Sequence, residues 1–320
     1  MGSAMARNVR KRMASTGRLY IFDVCRSACE RFQAEGEGAG AVVVVSDSAR
    51  EAVEQAATVI SIVPTAADVR QVYLDEATGV MAATRIPDRL ILECSTIDAE
   101  SARSISQALQ EAGAGLYIDT PVSGGVPGAE NGTLAFLLGH HGPPADANDT
   151  PNKEDPVVRR LERVCSWMGD PSRIFYCGRR GAGLAAKISN NYLSCSILVA
   201  VAEAMAIGVR SGVDAQLLHE VIHASTGQSF MADHVQPVPG VVSHAPSSNH
   251  YRLGFKTQMM TKDLGLGVQA GYATGIAPSM AEAALRVYEK AALDPQCIDR
   301  DGSSVFLYLT TRDPTRRAEN

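Results

Sequence analysis

The sequence predicts an α/β fold in which a parallel sheet covered by helices is followed by an all-helical second domain. Three observations carry this expectation. Short β-branched runs recur at residues 19–22, 41–45, 59–63, 90–92 and 116–118, each apolar enough for a strand buried on both faces. Stretches of helical period separate them, notably 1–15, 49–56 and 98–112, and such alternation is what a parallel sheet with helical crossovers requires. Beyond Gly181 the pattern is helical almost throughout, with stops near Gly212, Gly227 and 237–246.

Two further strands are expected at 133–138 and 174–177. Between them, 140–156 is rich in Pro, Asp, Asn and Gly and reads as a surface insertion. The domain boundary falls at about 178, giving a first domain of 1–178 and a helical one of 179–320. The apolar stretch 193–209, interrupted by Glu203, reads as a buried core helix rather than a membrane span. No internal repeat is visible.

With 320 residues and 45% hydrophobic content, the chain can build two domains with real cores. A formal net charge of −5 with scattered Lys and Arg argues against a nucleic-acid partner. Seven cysteines without Cys-x-x-Cys spacing indicate neither a disulfide framework nor a zinc site, and they suit a reducing compartment. The start Met1-Gly-Ser-Ala-Met-Ala-Arg7 lacks the apolar segment of a secretory signal. Neither nucleic acid nor membrane is expected as a partner.

The chemistry-bearing run is Gly181-Ala-Gly-Leu-Ala-Ala-Lys-Ile-Ser-Asn-Asn191, which puts an ammonium and a carboxamide inside an otherwise apolar helix. Lys187 and Asn191 are one turn apart on a shared face, with Ala185, Ala186, Ile188 and Leu193 expected to pack the other sides. That geometry suits a proton-transfer group beside a hydrogen-bonding orienter; the alternative is a surface lysine on an amphipathic helix. Two other motifs accompany it: Asp119-Thr-Pro-Val-Ser-Gly-Gly-Val-Pro-Gly128 and Met260-Thr-Lys-Asp-Leu-Gly-Leu-Gly267. Glycines in the first allow close backbone approach, so the amides and the Ser123 hydroxyl can converge on an anion; an ordinary tight turn is the competing reading.

With Ser95-Thr96-Ile97, and in this order along the chain, these motifs resemble the 3-hydroxyisobutyrate dehydrogenases of the β-hydroxyacid dehydrogenase family. The segment from Val238-Pro-Gly through Ser248-Asn-His-Tyr251 to Phe255 is similar to those enzymes too, and the resemblance covers nearly the whole chain. It implies a Rossmann-type NAD-binding domain followed by a helical substrate and dimerisation domain. It also implies NAD-dependent oxidation of 3-hydroxyisobutyrate, or a closely related 3-hydroxy acid, to the semialdehyde, as in valine catabolism. Homodimers or homotetramers are implied, in mitochondria if the cell is eukaryotic and in the cytoplasm otherwise.

Residue by residue, the resemblance makes Lys187 the proton carrier, provided burial lowers its pKa, with Asn191 orienting it or the substrate hydroxyl. Ser123, Gly124 and Gly125 take the substrate carboxylate. Met1 and Gly2 stand at the last glycine of the dinucleotide fingerprint, and Asp23 stands where an acid binds the ribose hydroxyls and repels a 2′-phosphate, favouring NAD. Val63 and Pro64 pass beneath the cofactor, Asp68 stands where the family often has Asn, Thr96 holds the nicotinamide end, and Lys262 closes over it from the helical domain. Helix capping for Thr96, and surface pairing with Asp263 for Lys262, are the alternatives. No metal is expected.

Two rival functions remain. His219-Glu-Val-Ile-His223 matches the His-Glu-x-x-His pattern of zinc peptidases, but Thr226 and Ser229 stand where the extended pattern needs glycine and histidine. The second rival is a catalytically impaired, truncated family member acting as a binding or scaffold protein. A complete fold needs a strand and Gly-x-Gly before Met1, and that strand would lie between the strands ending at Asp23 and Val63.

Overall fold

The computed structural model describes residues 1–35, 40–86, 88–142, 155–252 and 254–311, so most of the expected insertion at 140–156 lies outside the described residues. The chain divides into two compact units, Met1–Lys187 and Ile188–Asn320. The division falls inside a helix.

The first unit begins α1 (Gly2–Arg12), β1 (Arg18–Ile21), α2 (Arg26–Ala34), β2 (Val42–Val45), α3 (Ala49–Val53), β3 (Thr58–Ser61), α4 (Ala66–Leu74). It continues with β4 (Leu90–Glu93), α5 (Ala99–Glu111), β5 (Leu116–Asp119), β6 (Val122–Ser123), α6 (Gly125–Asn131), β7 (Leu134–Leu138), α7 (Pro156–Met168) and β8 (Gly169–Tyr176). β1 pairs with β2 in parallel, and β3–β4–β5 form a second parallel sheet with Ile91 opposite both Val59 and Tyr117. In the third sheet β7 runs antiparallel to β6 and parallel to β8. No ladder joins β1 to β3 among the described residues, so the sheet is interrupted between those two strands.

β4 shows why these runs become strands. All four residues are buried, and the pleat sends Leu90 and Leu92 to one face and Ile91 to the other. On the first face they meet Met5 and Val9 of α1, Phe136 of β7, and Leu161 and Val164 of α7. On the second, Ile91 joins Val69 and Tyr73 of α4 and Ile105 and Leu109 of α5. Truncating any of these to Ala costs about 2–5 kcal/mol. Arg89, just before β4, is fully buried and donates to the carbonyls of Ala56, Ala114, Val53 and Thr84.

The expected surface insertion extends to Pro156, but α7 begins there. Asp155 accepts the Val157 N–H at 2.8 Å, and proline suits the first helical position because that N–H has no intrahelical partner.

The second unit contains most of α8 (Ala182–Arg210), then α9 (Ala215–His223), α10 (Phe230–His234), α11 (Thr257–Ala273), α12 (Ser279–Ala291) and α13 (Val305–Thr311). Its core joins Leu198 and Ala202 of α8 with Leu264 of α11, Ala284 and Tyr288 of α12, and Val305. α8 corrects two expectations. Its buried stripe runs Leu184, Lys187, Ile188, Asn191, Cys195, Leu198, Ala202, Met205, whereas Ala185 is exposed, Leu193 is 59% exposed and Ile207 67%. The apolar window of this helix, long enough to cross a membrane, is only 33% buried, so 193–209 is no fully buried core helix. A helix apolar all round offers no hydropathy contrast to choose its inner face; packing against α11 and α12 chooses it.

Candidate active site

Lys187 is 9% exposed and Asn191 7%, so the polar pair lies within the buried stripe of α8 while apolar Leu193 points outward. The N-terminus of α8 is held by a strand. Asp119, the last residue of β5 and fully buried, accepts the Gly181 N–H at 2.7 Å through Oδ1 and the Leu184 N–H at 3.0 Å through Oδ2. Burial pushes its carboxyl above the ordinary value, opposed by those amide hydrogen bonds.

Four residues on, Ser123 ends β6 opposite Ala135. Gly124 and Gly125 follow at φ 129° and 62°, left-handed values that a side chain would strain, and both are exposed.

Of the expected cofactor residues, Gly2, Val63, Pro64 and Thr96 lie near the ends of β3 and β4. A Cβ on Gly2 would lie 3.3 Å from Ile62 Cγ2, so α1 starts against the residue preceding Val63. The Val63 N–H donates to Ser95 Oγ at 2.8 Å, tying the Val63-Pro64 loop to the Ser95-Thr96 loop. Beneath them Glu93, 1% exposed, accepts the Ser95 N–H at 2.8 Å and the hydroxyl of Ser61, which also meets Tyr73 OH. Burial pushes the Glu93 carboxyl up, opposed by the serine hydrogen bonds.

Asp68 serves the start of its own helix. Its carboxylate accepts the Thr65 N–H and hydroxyl at 3.0 and 2.6 Å, completing a capping box on α4. Asp98, not Thr96, caps α5 by accepting the Ser101 N–H at 2.7 Å. Asp23 stands exposed beyond β1, its Oδ1 accepting the Cys25 N–H at 2.8 Å.

In the second unit, Asp263, 3% exposed, joins two expected residues. Its Oδ2 accepts from Asn191 Nδ2 at 2.5 Å and its Oδ1 lies 3.2 Å from Lys262 Nζ. The expected pairing of Lys262 with Asp263 is thus present, but the carboxylate is buried and shared rather than part of a surface pair. The His-Glu-x-x-His run lies on α9, where His223 Nδ1 meets Asp233 at 2.9 Å and His219 Nδ1 meets Gln236 at 3.2 Å. Among the described residues no three His, Cys, Asp or Glu side chains form a metal-sized group.

Sequence reasoning assigned no role to Asp119 or Glu93, and gave Asp263 only a surface pairing with Lys262. Each had a signal: a carboxylate closing an apolar strand run, or one adjoining the Lys262 motif, is a charge that burial obliges to find partners.

The geometry has counterparts in known proteins. Residues 1–152 match the family model described as the NAD binding domain of 6-phosphogluconate dehydrogenase, and residues 181–309 match that described as NAD-binding of NADP-dependent 3-hydroxyisobutyrate dehydrogenase. An NAD-dependent L-serine dehydrogenase of Pseudomonas aeruginosa is 38% identical over 316 residues, covering 99% of this chain and 96% of the relative. The mitochondrial 3-hydroxyisobutyrate dehydrogenase of Homo sapiens is 34% identical over 309 residues, covering 97% and 84%. A solved structure of Mycobacterium tuberculosis 3-hydroxyisobutyrate dehydrogenase with L-serine matches with a TM-score of 0.78 at 36% identity, covering 97% of this chain and 95% of that one.

Proposed function

This chain belongs to the β-hydroxyacid dehydrogenase family and its 3-hydroxyisobutyrate dehydrogenases, NAD-dependent oxidoreductases, and on that premise we propose that it oxidises 3-hydroxyisobutyrate to the semialdehyde. One observation carries the reading: a lysine and an asparagine occupy the buried stripe of a helix that leaves leucine and isoleucine outside. Burying Lys187 costs free energy that a surface lysine avoids, so its position is a functional demand rather than a packing optimum.

The residues present fit the cofactor. The exposed Asp23 carboxylate suits ribose hydroxyls and disfavours a 2′-phosphate, the N-terminus of α1 at Met1 and Gly2 offers amides for a pyrophosphate, and the Val63-Pro64 and Thr96 loops are tied into one surface. Held by these residues, NAD would supply the hydride acceptor for the carbinol carbon. Lys187 Nζ takes the hydroxyl proton during oxidation and returns it in the reverse direction. Asn191, held by Asp263, donates to or accepts from the same hydroxyl, and Lys262 is steadied by the same carboxylate. Ser123 and the Gly124 and Gly125 amides receive the substrate carboxylate, which two positive-φ glycines leave accessible.

L-serine is the second reading. It presents the same primary alcohol on the carbon β to a carboxylate, and the 38% identical relative from Pseudomonas aeruginosa is an L-serine dehydrogenase. The exposed apolar residues Leu193 and Ile207 of α8 support a homodimer or homotetramer. In a eukaryote the chain would work in mitochondrial valine catabolism. The test is steady-state NADH formation with 3-hydroxyisobutyrate, L-serine and glycerate in parallel. The highest kcat/KM is expected for 3-hydroxyisobutyrate; a higher value for L-serine selects the second reading, and no turnover with any of them defeats both.

A further inference from the structure

Lys187 and the Ser123-Gly124-Gly125 turn can cooperate only if their separation is fixed to a fraction of an ångström, because misplacing a reacting group by about 1 Å can cost 10²-fold in rate. Asp119 lies four residues before Ser123, and Leu184 lies three before Lys187. The carboxylate of the first holds the amide of the second at 3.0 Å and that of Gly181 at 2.7 Å. First-turn amides have no acceptor within their own helix, and a residue just before the helix ordinarily supplies one. Here Arg179 O accepts the Ala182 N–H at 2.9 Å, but Arg179, Arg180 and Gly181 carry no side-chain capping acceptor, and the acceptor for Gly181 and Leu184 comes from 62 and 65 residues away.

The surroundings leave the tie no slack. The Gly139 N–H donates to the Asp119 backbone oxygen at 2.8 Å. A Cβ on Gly139 would lie 1.9 Å from Asp119 Oδ1, and one on Gly183 would lie 2.2 Å from Leu137 O. Displacing the carboxylate therefore means moving β7 or the start of α8.

We infer that Asp119 is a positioning residue, a buried strut that sets the place of Lys187 against the substrate-carboxylate turn. The inference rests on the reading of Lys187 as proton carrier. A carboxylate anchored on Leu184, three residues before Lys187, is expected to favour the ammonium form, which the labelling midpoint below tests.

Asp119→Asn keeps the volume and one acceptor oxygen but loses the charge and the second amide bond. Three quantities are measured on the folded variant: kcat for the 3-hydroxy acid, NADH affinity by fluorescence titration, and the pH midpoint at which Lys187 reacts with acetic anhydride, read by mass spectrometry. The expected result is a kcat lower by roughly 10- to 100-fold, unchanged NADH affinity, and a Lys187 midpoint moved to lower pH. A variant that merely melts earlier, with kcat and the labelling midpoint unmoved, overturns the inference. If the unaltered protein turns over no 3-hydroxy acid, the functional reading fails, while the labelling midpoint still decides the role of Asp119. Should Asp119→Asn not fold, amide exchange in the unaltered protein decides: slow exchange at Gly181 and Leu184 supports the strut, and free exchange at both overturns it.

Discussion

Replacing Arg89 by Met isolates the polar tie beneath the central sheet. The guanidinium donates to Ala56 O and Ala114 O at 3.3 Å each, to Val53 O at 3.0 Å and to Thr84 O at 2.9 Å, and the residue is fully buried. Methionine fills a similar volume but donates nothing. Val53 O keeps the Ala56 N–H at 3.1 Å, so three carbonyls bear the loss. Each unsatisfied buried acceptor costs about 1–3 kcal/mol, and relief from burying the cation offsets part of the total, leaving about 3–5 kcal/mol. For a unit of the size of Met1–Lys187 that corresponds to a fall of roughly 6–20 °C in melting temperature. Arg89→Lys should lose about half as much, because an ammonium cannot reproduce a planar fork across four carbonyls. Thermal and urea unfolding followed by circular dichroism measure both. A methionine variant melting within about 2 °C of the unaltered protein would refute the argument.

Lys187→Ala should lower kcat by roughly 10²–10⁴-fold with little change in NAD affinity, and unaltered turnover removes it from the mechanism. Asp23 should make kcat/KM higher with NAD than with NADP; equal efficiencies would contradict the role given to its carboxylate. Because burial raises the folded-state pKa of Glu93, the native state holds its proton where the unfolded chain has released it. Stability from this group is therefore complete below the ordinary carboxylate value of about 4.3 and declines as pH rises through the raised folded value. Glu93→Gln should flatten that decline, so denaturation midpoints of variant and parent must diverge with rising pH; parallel curves would count against it. Finally, chelators should leave activity intact, and stoichiometric zinc lost together with activity would revive a role for His219 and His223.

The strands were legible because parallel strands buried on both faces are continuous apolar runs: 90–92 became β4 and 116–118 became β5. Caps were partly legible. A cap before α5 was expected at Thr96 and is supplied by Asp98, while the Thr65–Asp68 box, which occupies the side chain assigned to the cofactor, has no counterpart in the expectations. The inner face of α8 could not be read, since Leu193 and Leu198 are equally hydrophobic and only distant packing separates them. The same holds for the acids. Asp119 and Asp263 sit inside recognised motifs, yet their partners lie 65 and 72 residues away, beyond any local pattern.

The interruption between β1 and β3 bears on how the molecule opens. β1 and β2 form a sheet of their own, with Val42 55% exposed, Val24 91% exposed and Leu19 only partly buried. Two strands with no further ladder among the described residues are marginally stable by themselves. This pair should therefore be the cooperative block that unfolds first, exchanging its amide hydrogens well before β4, which has a ladder on each side. Asp23 follows β1 directly. A nucleotide held there would slow exchange at 18–21 and 42–45 more than anywhere else in the unit, so ligand affinity and the order of the least stable block would rise and fall together.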